Sequence, residues 1–211
     1  FENAPDVLKQ IIRCNLLLGE YDVARNYLHR LSRSIIHRAW ARNYLSYADD
    51  PGKIMNDPDL AKRKKWMPST DFYANTRHPE YDLLQLLKDH PDNKMAFDYF
   101  MMNSLFKHDL SRLVLNLKYL ETTGYQRIPI HVEEGILMFM ALNDQYKPDL
   151  GPYTISRESQ NRFIDYSKIL MKYRGNRKEA QKELSEKHGN TFWYYIHYIS
   201  PITNKREINE K

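Results

Sequence analysis

The stretch LLLGEYDVARNYLHRL, residues 16–31, decides the fold of this chain because it joins two apolar helical patterns through one glycine. Gly19 is suited to end the first helix, and Ala24 puts a small side chain on the inner face of the second. Two later stretches align with it without a gap and carry their bends at His108 and Gly175. A small residue near a bend lets two helix axes approach closely, so the pattern predicts three helical hairpins, at about residues 5–32, 94–122 and 157–188.

The rest of the chain also follows helical spacing. No stretch alternates apolar and polar residues over the length of a strand between turn residues. We therefore predict an all-α fold in which one domain, residues 1–211, forms an irregular helical-hairpin array, an α-α superhelix. The array is expected to be irregular because the three bends are unequally spaced and a less regular helical connection lies at 51–92.

Two helices outside the first hairpin can be placed by their apolar residues. A third helix is predicted at about 35–47, with Ile35 and Ile36 on its apolar face. The second helix of the middle hairpin is predicted to run unbroken from Asp109 to about Glu121.

Two segments are rich in apolar or aromatic residues. Residues 95–106 are apolar on nearly all sides, which predicts a central helix whose faces are covered by neighbours. Residues 192–198 contain five aromatic side chains in a row broken by Ile196 and His197. This aromatic segment either closes the end of the core or forms an exposed docking patch.

Composition excludes several classes of protein. With 42% hydrophobic and 28% charged residues and only 7 glycines in 211 residues, the chain is that of an ordinary folded protein. Cys14 is its only cysteine, which excludes an internal disulfide, and no apolar stretch approaches the ~20 residues that a bilayer requires. The chain begins at Phe1 without the pattern of a signal peptide, so we expect a fragment of a longer protein.

The turn Gly19-x-Tyr21-x-x-Ala24 resembles the helix-to-helix turn of the tetratricopeptide repeat. As a whole, through residues 17–28, 93–99 and 128–134, the chain resembles the C-terminal part of an uncharacterised Bacteroidetes family, a domain of unknown function. That family has a predicted membrane-embedded N-terminal half and a tetratricopeptide-like tail. The resemblance implies a helical fold and the soluble tail of a membrane-anchored bacterial protein, on an undetermined side of the membrane, but it implies no activity.

A binding groove can be predicted by counting back from the bends. In tetratricopeptide arrays the first helix of each hairpin lines the concave face, so residues ten and six before each bend, Ile169 among them, would face a groove. Tyr99 and Tyr166 lie nearby, and Arg162 lies thirteen before the last bend. The predicted groove residues are Lys9, Arg13, Asp98, Tyr99, Met102, Arg162, Asp165 and Tyr166. Mixed charges and tyrosines suit an extended peptide or a protein tail. The alternative is that the two aspartates make structural hydrogen bonds between helices.

Catalytic and metal-binding chemistry has little support in the sequence. His131 and Glu134 share a helix face, but a metal site needs further ligands, so a pair that serves the helix N-terminus is favoured. No nucleophile with a base, glycine-rich phosphate loop or paired carboxylates on a cleft is evident. We therefore predict no enzyme activity, catalytic residue, metal or cofactor, and a metal-dependent enzyme is the least favoured alternative.

The expected partner is an unidentified protein or peptide. Lys62 to Lys65 with Trp66 could bind nucleic acid or an acidic membrane, but flanking aspartates favour a solvated helix face, so nucleic acid is not the predicted partner. Membrane contact is expected only through a segment upstream of this chain. The main alternative is a structural tail that packs on its own polypeptide or self-associates.

Overall fold

The computed structural model of the chain describes residues 4–69, 74–143 and 146–203. Helices account for 71% of the structure, and the described residues contain no β-strand. The predicted all-α fold is thus confirmed. The contacts divide into two compact units, Phe1–Ser69 and Thr70–Lys211, which are described separately below. The organisation of residues 1–211 as one domain stays a prediction, and residues 70–73 of the predicted connection lie outside the described residues.

The first unit is built from the first hairpin and the helices that follow it. Its helices are α1 (Pro5–Leu18), α2 (Tyr21–Ser32), α3 (Arg38–Asp49), a 3-10 helix (Pro51–Asn56) and α4 (Pro58–Lys65). Pro5 occupies the first turn of α1, and Gly19 ends the helix with a φ of 86°, in the left-handed region. Ala24 and Leu28 of α2 are fully buried in the core that these helices share.

The predicted start of the third helix is wrong. The helix begins at Arg38 instead of about residue 35, and the preceding residues form a turn. The N–H of Arg33 bonds to Arg30 O and that of Ser34 bonds to Leu31 O, so α2 ends in a tightened turn. The inner face of α3 is filled by Ala41, Tyr44 and Ala48. Ile35 and Ile36 are therefore left outside the core on the turn between α2 and α3, the α2–α3 tip.

The basic helix α4 contacts its own unit. Asp57 caps its first turn by accepting from the N–H groups of Asp59 and Leu60. Arg63 lies 3.0 Å from Asp59, and the Lys64 ammonium donates to the carbonyl of Leu17 at the end of α1 at 3.1 Å. At least two of its four consecutive basic residues thus have partners within the unit.

The second unit contains the other two hairpins. Its helices are α5 (Pro79–Asp89), α6 (Lys94–Phe106), α7 (Leu110–Leu115), α8 (Tyr119–Thr122), α9 (Ile130–Leu142), α10 (Arg157–Lys172), α11 (Arg177–His188) and α12 (Phe192–Tyr194), which continues into a π-helical turn (Tyr195–Ile199). At both bends, His108 and Gly175 have left-handed backbones, with φ of 57° and 91°. All three aligned bends thus lie where the sequence predicts them, and each has a left-handed φ.

The helix predicted from Asp109 to Glu121 is interrupted. Asn116 ends α7, and its side chain donates to the carbonyl of Arg112 at 2.8 Å, a local bond that competes with the helix ladder. The chain continues through a turn in which the N–H of Leu117 bonds to Val114 O. Leu117 stays buried, so the apolar periodicity continues although the helix does not.

The aromatic segment closes the interior of the second unit. Phe192 packs in the core around α6, α7 and α9, whereas Trp193 packs with Tyr166 in the core of α10 and α11. Of the two alternatives for residues 192–198, core closure describes the buried side chains Phe192, Trp193, Tyr194 and Ile196. The less buried Tyr195 contributes to the surface described below.

A buried carboxylate joins α5 to the bend after α6. Glu80 is almost fully buried and accepts from the Lys107 ammonium at 2.7 Å, with His78 at 3.2 Å and Arg112 at 3.4 Å. Burial alone raises the pKa of Glu80, but Lys107, the local backbone and His78 outweigh it and lower the pKa to about 2. The ion cluster therefore stabilises the fold while Glu80 is ionised.

We expect Glu80→Gln to lower the free energy of unfolding by about 2 kcal/mol at neutral pH, because two cations lose their charged partner. A carboxyl group whose pKa is depressed on folding stabilises the fold above its unfolded pKa, and this contribution is lost as the pH falls. The difference in unfolding free energy between the wild type and Glu80→Gln, measured by urea denaturation, should thus shrink as the pH falls from about 4.5 toward 2. Glu121→Gln, at an exposed position, is the control. A free-energy difference between the wild type and Glu80→Gln that does not change with pH would contradict the role of Glu80.

Candidate functional site

Helix α6 exposes one apolar stripe although its other faces are buried. Met95, Tyr99, Met102 and Phe106 follow a spacing of four, three and four residues and are between 45% and 64% exposed. This spacing places them on one side of the helix over about 16 Å. The prediction that neighbours cover this central helix thus holds for the faces that carry Phe97, Phe100 and Leu105, but this α6 stripe stays open.

Two hollows lie beside the stripe. One, of about 200 Å³, lies between α6 and the start of α9, and the other, of about 290 Å³, lies between α6 and residues 189–199. Both are lined by Met102, Leu105 and His131. Ile130 adds an apolar wall to the first hollow and Ile199 adds one to the second. Met102 and Phe106 of the stripe line these hollows, and we call the stripe and the two hollows together the α6 groove.

Polar groups mark one end of the α6 groove. The Asp98 carboxylate accepts a hydrogen bond from the Tyr125 hydroxyl and lies 3.3 Å from the Lys94 ammonium. The ammonium also lies over the Tyr125 ring, 3.3 Å from its centroid. Burial and the neighbouring Asp98 raise the pKa of Tyr125, so its hydroxyl stays protonated as a donor. Asp98 is therefore held in place at the edge of the groove.

His131 is the titratable residue at the centre of the groove. Its side chain is half exposed, and its Nδ1 atom lies 2.9 Å from Oε2 of the buried Glu134. The hydrogen bond to Glu134 raises the pKa of His131, although burial and Arg162 oppose the shift. The sequence-predicted pair on one helix face is thus formed, and it places a pH-dependent positive charge between the two hollows.

Glu134 holds the opposite wall of the groove. Its Oε2 atom accepts from the N–H of Phe192 at 2.8 Å, and its backbone carbonyl accepts from the Trp193 indole at 2.8 Å. Arg162 lies 3.5 Å from the other carboxylate oxygen and donates to the side-chain oxygen of Asn190 at 3.1 Å. The carboxylate therefore fixes the start of α12 beside the groove.

Glu133, the preceding residue, fixes α10 in the same way. Its carboxylate accepts from the N–H of Ser156 at 2.9 Å, from the Ser156 hydroxyl at 2.7 Å and from the Ser159 hydroxyl. Ser156 caps α10, and its hydroxyl also accepts from the N–H of Ser159. The two glutamates are thus occupied by donors at helix starts. Among the described residues, no group of three or more His, Cys, Asp or Glu side chains is arranged to hold a metal ion.

The structure brings part of the predicted groove together. Asp98 and Met102 line the same hollow, Tyr99 lies on the α6 stripe beside them, and Arg162 contacts the groove wall through Asn190. Asp165 instead accepts from His188 at 2.9 Å, which matches the alternative of a structural bond between helices.

Three other predicted residues have different surroundings. Tyr166 is only 1% exposed, and its hydroxyl bonds to His197, so a partner cannot reach it in this conformation. Lys9 and Arg13 belong to the first unit, where both cations lie over the Trp40 ring, and Arg13 lies 2.9 Å from Asp59.

Counting from the bends missed the walls of the groove. The walls beside α6 come from Ile130 at the start of α9 and from residues 189–199, which are distant in sequence from α6, so no spacing rule joins them to it. The signal that could have found the α6 stripe is the apolar character of α6 on all sides, because a central helix of so small a unit cannot have every face covered.

The comparisons with known proteins show the family. The model of a family of unknown function (DUF6057) matches residues 2–199, and the chain belongs to that family. Neither the curated proteins nor the solved structures include a significant match to the chain. Within the described residues, no helix combines the length and hydropathy needed to cross a bilayer. The Bacteroidetes origin and the tetratricopeptide-like nature stay predictions.

We expect the pKa of His131, measured by NMR titration of the ring, to lie above the ordinary 6.5 and to fall in Glu134→Gln. A histidine whose pKa is raised on folding stabilises the protein below its unfolded pKa, and this contribution is lost as the pH rises through the folded pKa. His131→Gln should therefore destabilise the protein more in mild acid than in mild alkali. The exposed His29→Gln is the control, and an equal loss for His131→Gln at both pH values would contradict the ion pair.

Proposed function

We propose that this chain is a tetratricopeptide-like scaffold that binds a protein partner, and that its second unit holds an amphipathic helix of that partner in the α6 groove. The α6 stripe is the observation that carries this proposal, since four large apolar side chains on one helix face are left in water. As the resemblance implies, we also propose that the chain is the soluble tail of a membrane-anchored bacterial protein.

A helix fits the groove better than an extended strand does. The α6 stripe repeats every three to four residues, as does the apolar face of an amphipathic helix, so the two ridges can interdigitate. Met95 and Met102 are flexible, and Tyr99 and Phe106 offer large apolar areas, a combination suited to gripping another helix. The hollows on either side of Met102 are large enough to receive apolar side chains of the partner.

Charges at the edges of the groove would orient the bound helix. Lys94 and Asp98 lie at the start of the stripe, whereas His131 lies between the two hollows and Arg162 contacts the wall at Asn190. A partner helix with a basic residue near Asp98 and an acidic residue near His131 would complement both charges. Protonation of His131 would then strengthen binding in mild acid.

A catalytic role is not proposed for the buried carboxylates. Glu80, Glu133 and Glu134 are surrounded by cations, hydroxyls and backbone N–H groups of their own unit. Their geometry therefore supports a structural role. A metal-dependent activity at His131 would need ligands beyond the paired Glu134.

The test is selection of displayed 16-residue peptides, patterned as amphipathic helices, against the 211-residue chain. We expect enriched peptides to bind with an affinity that Met102→Ala with Phe106→Ala lowers at least about tenfold, because their apolar anchors lose their contacts. Binding is measured by fluorescence anisotropy. Leu115→Ala with Ile164→Ala is the matched control, since both side chains are exposed and neither lines the groove.

Two results would contradict the proposal. The first is a failure to enrich any helical peptide, or enrichment of peptides that bind the groove variant equally well. The second is a concentration-dependent dimer, seen by analytical ultracentrifugation, that Met102→Ala with Phe106→Ala dissociates. That dimer would assign the groove to self-association, the main alternative for this chain.

A further inference from the structure

The α2–α3 tip presents two aliphatic side chains to solvent. Ile35 is 86% exposed and Ile36 is 84% exposed, more than any other large apolar side chain among the described residues. They are adjacent in the turn that follows α2, and the core of the unit is complete without them. Their exposure is unfavourable in water and contributes nothing to the packing of the first unit.

All the charged residues in the chain around this tip are basic. From Val23 to Ala48 the sequence contains five arginines and two histidines but no aspartate or glutamate. Arg33, Arg38 and Arg42 are exposed at the end of α2 and the start of α3. No ion pair of Arg33 or Arg42 occurs within the part of the chain that the structure describes.

The positive charge at the start of α3 is also unfavourable for that helix. The N-terminus of a helix favours acidic side chains, yet α3 begins at Arg38 and has no acidic residue in its first turn. Arg25 shows the contrast, because it lies away from the tip and pairs with Asp49 at 3.2 Å. Positive charge concentrated beside two exposed isoleucines is thus a feature of the α2–α3 tip that folding alone does not explain.

We propose that the α2–α3 tip binds the surface of an anionic lipid bilayer. Ile35 and Ile36 enter the boundary between headgroups and acyl chains, where their exposed area leaves water, and the arginines around them contact lipid phosphates. The positive charge of the tip complements an anionic bilayer. Nucleic acid would also attract the arginines, but proteins contact its bases through aromatic and polar side chains, whereas the tip carries two aliphatic side chains.

The proposal is independent of the α6 groove, because it concerns the first unit and rests on other residues. It also departs from the expectation that only an upstream segment meets a membrane. The predicted third helix placed Ile35 and Ile36 on an apolar face, whereas in the structure both side chains are exposed.

The test is cosedimentation of the 211-residue chain with vesicles of phosphatidylcholine alone or with about 30% phosphatidylserine. We expect binding to the anionic vesicles only, weakened by salt. Ile35→Ser with Ile36→Ser, and separately Arg33→Gln with Arg42→Gln, should each lower the affinity about tenfold.

Matched controls remove the same chemistry from the second unit. Ile164→Ser with Met171→Ser removes two exposed apolar side chains, and Lys178→Gln with Lys182→Gln removes two exposed charges. Both should leave vesicle binding unchanged. Circular dichroism of each variant checks that the helices are retained.

Insertion of the tip into the bilayer can be measured with a dye on a single introduced cysteine. Cys14, the only natural cysteine, is exposed and is first replaced. An environment-sensitive dye on Ile36→Cys, in a Cys14→Ser background, should shift to the blue with anionic vesicles, whereas the dye on Ile164→Cys should not. The proposal is overturned if the chain does not bind anionic vesicles, or if Ile35→Ser with Ile36→Ser leaves vesicle binding unchanged. It is also overturned if the arginines instead bind a short RNA or DNA duplex without lipid.

Discussion

The second unit depends on two adjacent carboxylates that are buried on α9. Glu133 is surrounded by donors at the start of α10, and Glu134 accepts the N–H of Phe192 at the start of α12. Ionised carboxylates are costly to bury unless hydrogen-bond donors replace the lost water. Each glutamate therefore fixes the helix start that supplies its donors. Because Glu134 also holds His131, the central charge and one wall of the α6 groove depend on the same side chain.

The residue after this pair completes the attachment of α9. A Cβ atom on Gly135 would lie 2.8 Å from Cδ2 of Leu105, closer than Cβ atoms approach their neighbours, and 3.2 Å from Cδ1 of Leu113, which is tighter than most contacts. The bare backbone at Gly135 thus lets α6 and α7 approach α9. Residues 133–135 connect α9 to α10, α12, α6 and α7 in three consecutive positions. One short run can do this because successive residues of a helix face different directions.

Local rules predicted the parts of this fold that local geometry decides. The bends at Gly19, His108 and Gly175 were found because their flanking sequences align with the same apolar spacing, and all three have left-handed backbones. The start of α3 and the break at Asn116 were missed because the apolar spacing continues through both places. Local hydrogen bonds end α2 before residue 35 and end α7 at Asn116, and the spacing does not reveal them. The groove was found only in part, since Asp98 and Met102 lie on one helix but its walls depend on contacts between distant segments.

The chain breaks the usual pattern of apolar interior and polar surface in two opposite ways, and the difference between them has a functional meaning. The buried Glu80, Glu133 and Glu134 place charge inside, but donors within the same unit satisfy them, so folding explains each one. The α6 stripe and the α2–α3 tip place large apolar side chains outside, and the described residues of their own unit leave these side chains about half exposed or more. Sequences tend to be consistent across local and global levels except where function requires otherwise. A departure that the fold itself satisfies is thus structural, whereas one that it leaves open points to a partner outside the chain.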